Sequence, residues 1–208
     1  MCRFLVLRGD DGFDPVPVLD AFRERCRESP EYQGHGWGMA HGTRGKLTRY
    51  RSLTPIWEDA PALPARVDFL VVHARSAFRN EGIEVRNNMP FYRGEWTYVF
   101  NGELQGVRLK APGRTGAEKV FQVILDQGEA RPTKALAAAD RLLRARSRYV
   151  RAMNVALTDG RAIYAHCRFG ERSEYFTLHY RTGALAGVCS EPLDETFRPM
   201  RDGETRVL

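Results

Sequence analysis

The sequence predicts a layered fold in which α-helices pack against largely antiparallel β-sheets. Three observations predict it. Short apolar runs of strand length recur in both halves of the chain, and turn residues such as Asp159-Gly160 separate several of them. Two consecutive segments with helical spacing lie between an N-terminal and a C-terminal group of strands. Strands, then helices, then strands within one chain favour layered packing of helices on sheets.

The first half of the chain is predicted to be mostly β-structure with one helix. Residues 2–7 form an apolar run of strand length. A helix begins at Asp14-Pro15, because Pro is favoured in the first helical turn. Residues 69–73 are apolar without alternating polarity, which predicts a buried central strand. The other expected elements are a Gly-rich segment at 34–38, a hairpin with a turn at 42–45 and a return strand at 46–50, and a Pro-containing surface connection at 54–66.

The second half is predicted to place two helices before further strands. Residues 96–100 form a strand that Asn101-Gly102 stops. Helices follow at 115–127 and 132–146, where apolar residues recur at helical spacing. The C-terminal third is expected to be β-rich, with strands at 151–157, 162–166, 175–180 and 185–190.

The composition is that of an ordinary globular protein. The 208 residues are 43% hydrophobic and 28% charged. We expect no membrane span, because no apolar run is long enough to cross a bilayer as a helix. We expect no signal peptide, because residues 1–15 lack a basic start followed by a long apolar run. The net charge of +6 is carried mainly by arginines spread along the whole chain, so nucleic acid is not an expected partner.

The cysteines and histidines show no pattern typical of a metal site. The cysteines lie far apart without a CxxC pair, which argues against zinc and against a disulfide framework: Cys2, Cys26, Cys167 and Cys189. The histidines also lack ligand spacing: His35, His41, His73, His166 and His179. We therefore expect no metal, no cofactor and a reducing cytoplasmic compartment.

Cys2 is the first candidate catalytic residue. Removal of Met1 is favoured when the next residue is small, and it would leave Cys2 with a thiol and an α-amine in one residue. The two groups titrate near 8.5 and 8, so the amine can accept the thiol proton and later protonate a leaving group. The alternative is that Cys2 is only a small residue at the start of a strand.

Asn101-Gly102 is the second candidate, and it has two interpretations. Asn-Gly suits a hairpin turn, because both residues tolerate positive φ. The residues that follow do not form a clean return strand, which favours a second role. In that role the Asn101 amide and the Gly102 N–H donate to the oxyanion of a tetrahedral intermediate.

Arg75 is the third candidate, at the end of the predicted strand 69–73. A cation at the end of a buried strand needs an anionic partner. A structural Asp or Glu could supply it. Alternatively, the planar guanidinium binds a substrate carboxylate through two parallel hydrogen bonds.

Six short motifs occur in an order that resembles a known family: Met-Cys-Arg at 1–3, Gly-Trp-Gly-Met-Ala at 36–40, His-x-Arg at 73–75, Pro-Phe at 90–91, Asn-Gly at 101–102 and Ser-Glu-Pro-Leu at 190–193. This order is similar to that of the class II glutamine amidotransferase domains. It is most similar to the stand-alone branch that begins Met-Cys-Arg and includes the ergothioneine-pathway γ-glutamyl amidohydrolase. The resemblance covers residues 2–208 as a single domain.

The resemblance implies a fold and a set of roles. The fold is α+β, a four-layer αββα sandwich of N-terminal-nucleophile hydrolase type. The activity is cleavage of the side-chain amide of glutamine or of a γ-glutamyl compound. Cys2 would be the nucleophile, Asn101 and Gly102 the oxyanion hole, and Arg75 the ligand of the substrate α-carboxylate. Gly36 and Trp37 would build the turn beneath the site.

The sequence also departs from the family at the substrate amine. The family carries an Asp, within Ser-Asp-x-Glu, that binds the substrate α-ammonium, whereas residues 115–118 are Thr-Gly-Ala-Glu and place Gly116 there. Met89 likewise replaces a His before Pro-Phe. Three hypotheses follow: a glutaminase that passes ammonia to a separate enzyme, a hydrolase of a modified γ-glutamyl or other amide, and a catalytically silent binding module.

Overall fold

Two antiparallel β-sheets and four α-helices make up the protein, whose computed structural model describes residues 1–43 and 45–208. Elements are numbered in chain order. The first sheet has the order β11-β9-β10-β1-β4-β2-β3 and consists of β1 (Arg3–Phe13), β2 (Trp37–Thr43), β3 (Lys46–Ser52), β4 (Val67–Ala74), β9 (His179–Arg181), β10 (Leu185–Cys189) and β11 (Arg198–Pro199). The second has the order β12-β8-β7-β6-β5 and consists of β5 (Phe91–Arg93), β6 (Trp96–Gln105), β7 (Tyr149–Thr158), β8 (Ile163–His166) and β12 (Thr205–Val207). The helices are α1 (Pro15–Arg27), α2 (Gly116–Asp126), α3 (Pro132–Arg146) and the short α4 (Ser173–Phe176), with single 3₁₀ turns at Ile56–Glu58, Phe78–Asn80 and Val85–Asn87.

The helices cover the outer faces of the two sheets. α1 buries Leu19 and Phe22 in one core with Leu5 of β1. On the opposite side of the molecule, Phe121 of α2 stacks on Tyr98 of β6, with ring centroids 4.5 Å apart. The inner faces of the sheets meet where β1 and β4 contact β6. The order helix, sheet, sheet, helix confirms the predicted four-layer αββα sandwich.

The helix starts follow from their capping residues. The Asp14 side chain accepts a hydrogen bond from the Val16 N–H at 2.9 Å, and Pro15 takes the first helical position. Thr115 caps α2 by accepting from the Glu118 N–H at 3.2 Å. The predicted helices 115–127 and 132–146 are confirmed to within one residue at each end.

The predicted strand boundaries need more correction. β1 extends to Phe13 rather than ending at residue 7, because β10 pairs with it as far as Gly9 and β4 pairs with it again at Phe13. The segment 175–180 is not one strand, since α4 occupies its first two residues and β9 begins at His179. The predicted turn at 42–45 lies partly outside the described residues, and Gly42 and Thr43 belong to β2.

The prediction that Asn101-Gly102 stops a strand is wrong. β6 continues to Gln105, and Asn101 and Gly102 lie opposite Asn154 and Met153 of β7. The register shifts only afterwards, between Glu103 and Leu104. Pairing with β7 along nearly the whole strand outweighs the local preference of Asn-Gly for a turn, so the hairpin interpretation of this pair is excluded.

Within residues 1–43 and 45–208, no helix is long and apolar enough to cross a membrane. The same residues contain no cluster of three or more His, Cys, Asp or Glu side chains that could hold a metal ion.

Candidate active site

Cys2 lies beside the end of β4, although the two are distant in sequence. β1 and β4 pair so that Arg3 lies opposite Ala74, which brings Cys2 next to Ser76. The Ser76 N–H donates to Cys2 Sγ at 3.4 Å. Burial raises the pKa of the Cys2 thiol, and the N-terminal charge, the Ser76 N–H and the charge of Arg75 only partly offset it. The thiol is therefore protonated at neutral pH and needs a base to become a nucleophile.

Gly36 holds the backbone at this end of β4 through a hydrogen bond. Its carbonyl accepts the Arg75 N–H at 2.9 Å, and its φ of 99° lies in the region that favours glycine. A side chain at Gly36 would also collide with the Ser52 carbonyl. The adjacent Trp37 is fully buried, and its indole N–H donates to Asp59 at 2.9 Å. The two residues thus shape the backbone beneath Cys2.

Arg75 is held by backbone carbonyls and forms no ion pair in the described part of the chain. Its guanidinium donates to the Gly82 carbonyl at 2.7 Å and to the Glu81 carbonyl at 3.3 Å. No carboxylate oxygen of residues 1–43 and 45–208 forms an ion pair with it. Two neutral carbonyls hold the side chain in place, and the charge of Glu84 acts on it only without an ion pair, so an anionic ligand can still bind there.

Asn101 is fully buried and keeps both amide atoms without a hydrogen-bond partner among the described residues. Its neighbour across the strand pair, Asn154, is also fully buried but satisfied. Asn154 donates to the Phe176 carbonyl at 2.6 Å and accepts the Arg168 N–H at 2.9 Å. A buried amide without partners is costly, and such groups are concentrated at functional sites.

The backbone N–H of Gly102 points away from β7. Met153, which lies opposite Gly102, donates its own N–H to the Arg168 carbonyl on the far side of β7. In an antiparallel pair, two residues directly opposite each other either both point their N–H and C=O groups at the partner strand or both point them away from it. The Gly102 N–H is therefore directed to the side of β6 on which β5 has already ended. A Cβ at Gly102 would collide with the Ala152 carbonyl, so only glycine fits.

A cavity of about 820 Å³ connects these groups. Cys2, Arg75 and Gly102 line it directly, whereas Asn101 is buried next to Gly102 and is not exposed in the lining. Much of the remaining wall is apolar and comes from β6, α2, α3 and the segment 107–111. Three of the four predicted site residues thus share one cavity, and the fourth lies directly behind it.

The structure adds residues around the N-terminus that the sequence did not indicate. The Met1 carbonyl accepts hydrogen bonds from the Tyr175 hydroxyl at 2.6 Å and from the Gln33 amide at 2.5 Å. The Gln33 side-chain oxygen is buried and has no partner in the described residues. Tyr175 and Gln33 form a polar cradle for the N-terminus. No sequence signal could have indicated it, since its members are widely separated along the chain.

The acidic side chains in the cavity wall are paired with arginine. Arg151 pairs with Glu31 at 3.4 Å and with Glu103 at 3.5 Å, and Arg172 pairs with Glu31 at 2.6 Å. Burial would raise the pKa of the Glu31 carboxyl, but the N-terminal ammonium and the two arginines lower it below its ordinary value. Both glutamates are thus engaged in ion pairs, although the single charge of Arg151 is shared with Glu171 and does not neutralise all three carboxylates.

Gly116 lies at the first position of α2 and faces open space. A Cβ added there would meet no atom within 4 Å. Lys119, one turn along the same helix, also lines the cavity. This part of the wall therefore offers a helix N-terminus and a lysine, both of which disfavour a substrate ammonium group.

The chain is similar in sequence to one family and in fold to several solved structures. Residues 1–182 match the family described as class-II glutamine amidotransferases. A glutamine aminotransferase class-II domain protein from Silicibacter pomeroyi has a TM-score of 0.68 and 23% identity, covering 99% of this chain and 94% of its own. A predicted glutamine amidotransferase from Pseudomonas aeruginosa has a TM-score of 0.57 and 16% identity, covering 100% and 93%. Glutamine phosphoribosylpyrophosphate amidotransferase from B. subtilis has a TM-score of 0.68 and 15% identity, covering 99% of this chain and 47% of its own.

At these identities the solved structures show the fold alone. That fold is the N-terminal-nucleophile type of αββα sandwich, as the sequence predicted. No curated protein sequence matches the chain.

Proposed function

Because the chain belongs to the class-II glutamine amidotransferase family, we propose that it cleaves the side-chain amide of glutamine or of a γ-glutamyl-type compound through a thioester on Cys2. The family supports an amide-hydrolysing or amide-transferring role. One observation carries the finer assignment: Cys2, Arg75 and Gly102 line a single cavity, and the unpartnered Asn101 amide lies directly behind it. We further propose that residues 2–208 act as one catalytic domain of the stand-alone, Met-Cys-Arg type.

The proposed reaction begins after Met1 has been removed. The freed α-amine of Cys2 takes the thiol proton, and the thiolate attacks the amide carbon, so that a C–S bond forms. The Asn101 amide and the Gly102 N–H donate to the resulting oxyanion. When this intermediate collapses, the C–N bond breaks and the ammonium of Cys2 protonates the leaving nitrogen. Water then hydrolyses the thioester and regenerates the thiol.

The cradle around Met1 fits this mechanism. Once Met1 is gone, the Tyr175 hydroxyl and the Gln33 amide lose the carbonyl that they bind and remain close to the nitrogen of Cys2. The Gln33 oxygen, which has no partner among the described residues, can accept from that nitrogen. We propose that these two side chains orient the catalytic amine.

Replacing Tyr175 with phenylalanine tests the cradle. We expect kcat to fall by about tenfold with little change in KM, because the oriented amine acts in proton transfer and does not bind substrate. The ring contacts with Phe176 and Arg3 survive in this variant, so the melting temperature should stay close to that of the parent. A rise in KM at unchanged kcat would contradict the proposed role. Steady-state kinetics and thermal unfolding of both proteins supply the comparison.

We propose a modified γ-glutamyl compound rather than free glutamine as the better substrate. Arg75 supplies a cation for an α-carboxylate, but Gly116 and Lys119 offer no anion for an α-ammonium, and Glu31 and Glu103 are both paired with Arg151. The cavity of about 820 Å³ lies in the upper part of the range of roughly 300–1,000 Å³ that is usual for drug-sized ligands. Its apolar wall can accept a substituent that glutamine lacks.

Introducing Gly116→Asp is expected to raise kcat/KM for free glutamine by about tenfold, the effect of one charged hydrogen bond of roughly 1.5–3 kcal/mol. The new side chain has room, and an acidic residue at the first turn of a helix is favourable. Ala117→Asp is the matched control, since it adds the same charge one position along α2. Equal effects of the two variants, or no effect of Gly116→Asp, would contradict the proposal that position 116 faces the α-ammonium of glutamine. The assay compares glutamine with an α-N-acylated glutamine in each variant.

A separate enzyme that accepts ammonia is the partner we propose if free glutamine proves to be the substrate. Saturable glutamine turnover with a KM below about 1 mM, within the ordinary range for enzymes, would favour that version. The chemistry needs a reduced thiol at Cys2, so we propose the cytoplasm as the compartment.

Mass spectrometry after reaction with a glutamine-like electrophile tests the whole proposal. We expect a native protein that lacks Met1 and carries one adduct, on Cys2. The electrophile should be tested with a free and with an acylated α-amine. Retained Met1 together with an unlabelled Cys2 would instead support a silent binding module on this fold.

A further inference from the structure

A second cavity, of about 410 Å³, lies between the edges of the two sheets. Its walls come from β3, β5, the segment 112–114 and the first turns of α2. We call it the edge cavity. Among the described residues it contains four arginines and a single carboxylate: Arg49, Arg51, Arg93, Arg114 and Glu118. This part of the lining thus has an excess of three positive charges.

The single carboxylate of the edge cavity is already engaged. Glu118 accepts the backbone N–H of Arg114 at 2.6 Å and also pairs with its guanidinium. Arg93 donates to the neutral side chain of Gln122. Arg49 and Arg51 form no ion pair with any carboxylate in the described part of the chain. Clustered like charges repel one another, and the repulsion is relieved when an anion lies between them.

Tyr92 adds a hydrogen-bond donor to the cavity. The Arg49 guanidinium lies 3.9 Å from the centre of the Tyr92 ring, and that of Arg51 lies 5.4 Å from it. The Tyr92 hydroxyl is buried and has no hydrogen-bond partner among residues 1–43 and 45–208. Burial raises its pKa to about 12, so the hydroxyl keeps its proton at neutral pH. A buried hydroxyl without a partner is the exception in folded proteins.

We propose that the edge cavity binds a small anion that carries a phosphoryl group. Arg51 already donates to the Pro90 carbonyl, but its remaining N–H groups, those of Arg49 and the Tyr92 hydroxyl still present more donors than the two oxygens of one carboxylate can accept. A phosphoryl group offers three strong acceptor oxygens and a charge near −2. The concave shape and modest volume of the cavity favour a small molecule. A nucleic-acid strand is disfavoured, because the other arginines are spread along the chain. This inference does not depend on the proposed function.

The edge cavity is separate from the catalytic cavity but adjacent to it. Gly113 and Arg114 line the edge cavity, and the next two residues, Thr115 and Gly116, line the catalytic one. None of the residues proposed to act in catalysis lines the edge cavity. Variants of β3 can therefore test anion binding without altering the catalytic groups.

Isothermal titration with inorganic phosphate and with diphosphate, at constant ionic strength, tests the site. We expect saturable binding of one anion with a Kd of about 1 mM or tighter. Arg49→Gln should weaken it at least tenfold. Tyr92→Phe keeps the stacked ring but loses the donor, and it should weaken binding severalfold. Arg141→Gln, which removes an exposed arginine of α3, is the matched control and should leave binding unchanged.

Thermal unfolding of the variants, measured in chloride, shows whether a variant that binds phosphate weakly has lost only the anion site or has also lost its fold. Arg49 makes a cation–π contact with the Tyr92 ring. The Arg49 side chain forms no hydrogen bond or ion pair with the other described residues. Its variant should therefore melt at the same temperature as the parent or higher. Absence of saturable phosphate binding would overturn the proposal, and so would equal affinities in the Arg49 and Arg141 variants. Binding of a single-stranded oligonucleotide that phosphate does not compete with would overturn it in favour of nucleic acid. If the Arg49 variant fails to fold, the Tyr92→Phe result decides alone.

Discussion

The Cys2→Ala variant is expected to lose amide turnover by a factor of at least about 10⁴, because it removes the atom that attacks the substrate. Among the described residues, the thiol forms hydrogen bonds with the Ser76 backbone alone, so the fold should be retained. We expect the free energy of unfolding to change by less than about 1 kcal/mol. Release of ammonia from glutamine and release of amine from γ-glutamyl amides supply the two activity measurements.

Cys26→Ala is the matched control for this variant. Cys26 is also a free thiol, but it lies on the buried face of α1 and is 2% exposed. Its replacement should lower stability by roughly 1 kcal/mol, through the lost apolar contact, and leave kcat unchanged. Turnover by Cys2→Ala at the parental rate, or full activity of a preparation that intact-mass measurement shows to retain Met1, would refute the proposed mechanism.

Replacing Asn101 with alanine should have the second largest effect. The loss of one oxyanion donor costs about 10²–10³ in kcat, equivalent to roughly 3–4 kcal/mol of transition-state stabilisation, and it should leave KM nearly unchanged. The Asn101 amide makes no hydrogen bond in the described structure, so its removal breaks none. We therefore expect only a small decrease in melting temperature. Steady-state kinetics and thermal unfolding measure the two effects separately.

Asn154→Ala is the matched control, and we expect the opposite outcome. Asn154 lies directly opposite Asn101 and holds the Phe176 carbonyl and the Arg168 N–H. Its loss leaves the buried Phe176 carbonyl and the part-buried Arg168 N–H unpaired, and the buried group alone costs about 1–3 kcal/mol. The variant should unfold at a lower temperature while kcat changes little. If both variants lose stability and neither loses kcat, Asn101 is a structural residue and the oxyanion assignment fails.

Helix positions were predictable because they depend on neighbouring residues. Asp14 and Thr115 cap their helices through contacts two or three positions away, and a sequence shows such spacings directly. Strand ends were less predictable, since a strand lasts as long as its neighbours supply partners. The continuation of β6 through Asn101 and Gly102 depends on β7, which the chain reaches only after α2 and α3.

The candidate site, too, was predictable from the sequence only in part. A thiol and an amine in one residue are a property of Cys2 itself, so the sequence was enough to suggest the nucleophile. The roles of Arg75 and Asn101 rested on the family resemblance. The lack of hydrogen bonds at the Asn101 amide among the described residues, and the pairing of Glu31 with Arg151 and Arg172, became visible only in three dimensions.

The sequence by itself determined the alternation of strands and helices, the family and the chemistry available at Cys2, because these depend on residue type and short-range spacing. Only the tertiary structure decided which polar groups are left without partners. Whether Asn101, Arg75 or the Tyr92 hydroxyl is satisfied depends on chain segments far away in sequence. Hydrogen bonds and ion pairs act over a few ångströms of space, and spacing along the chain does not reveal that distance.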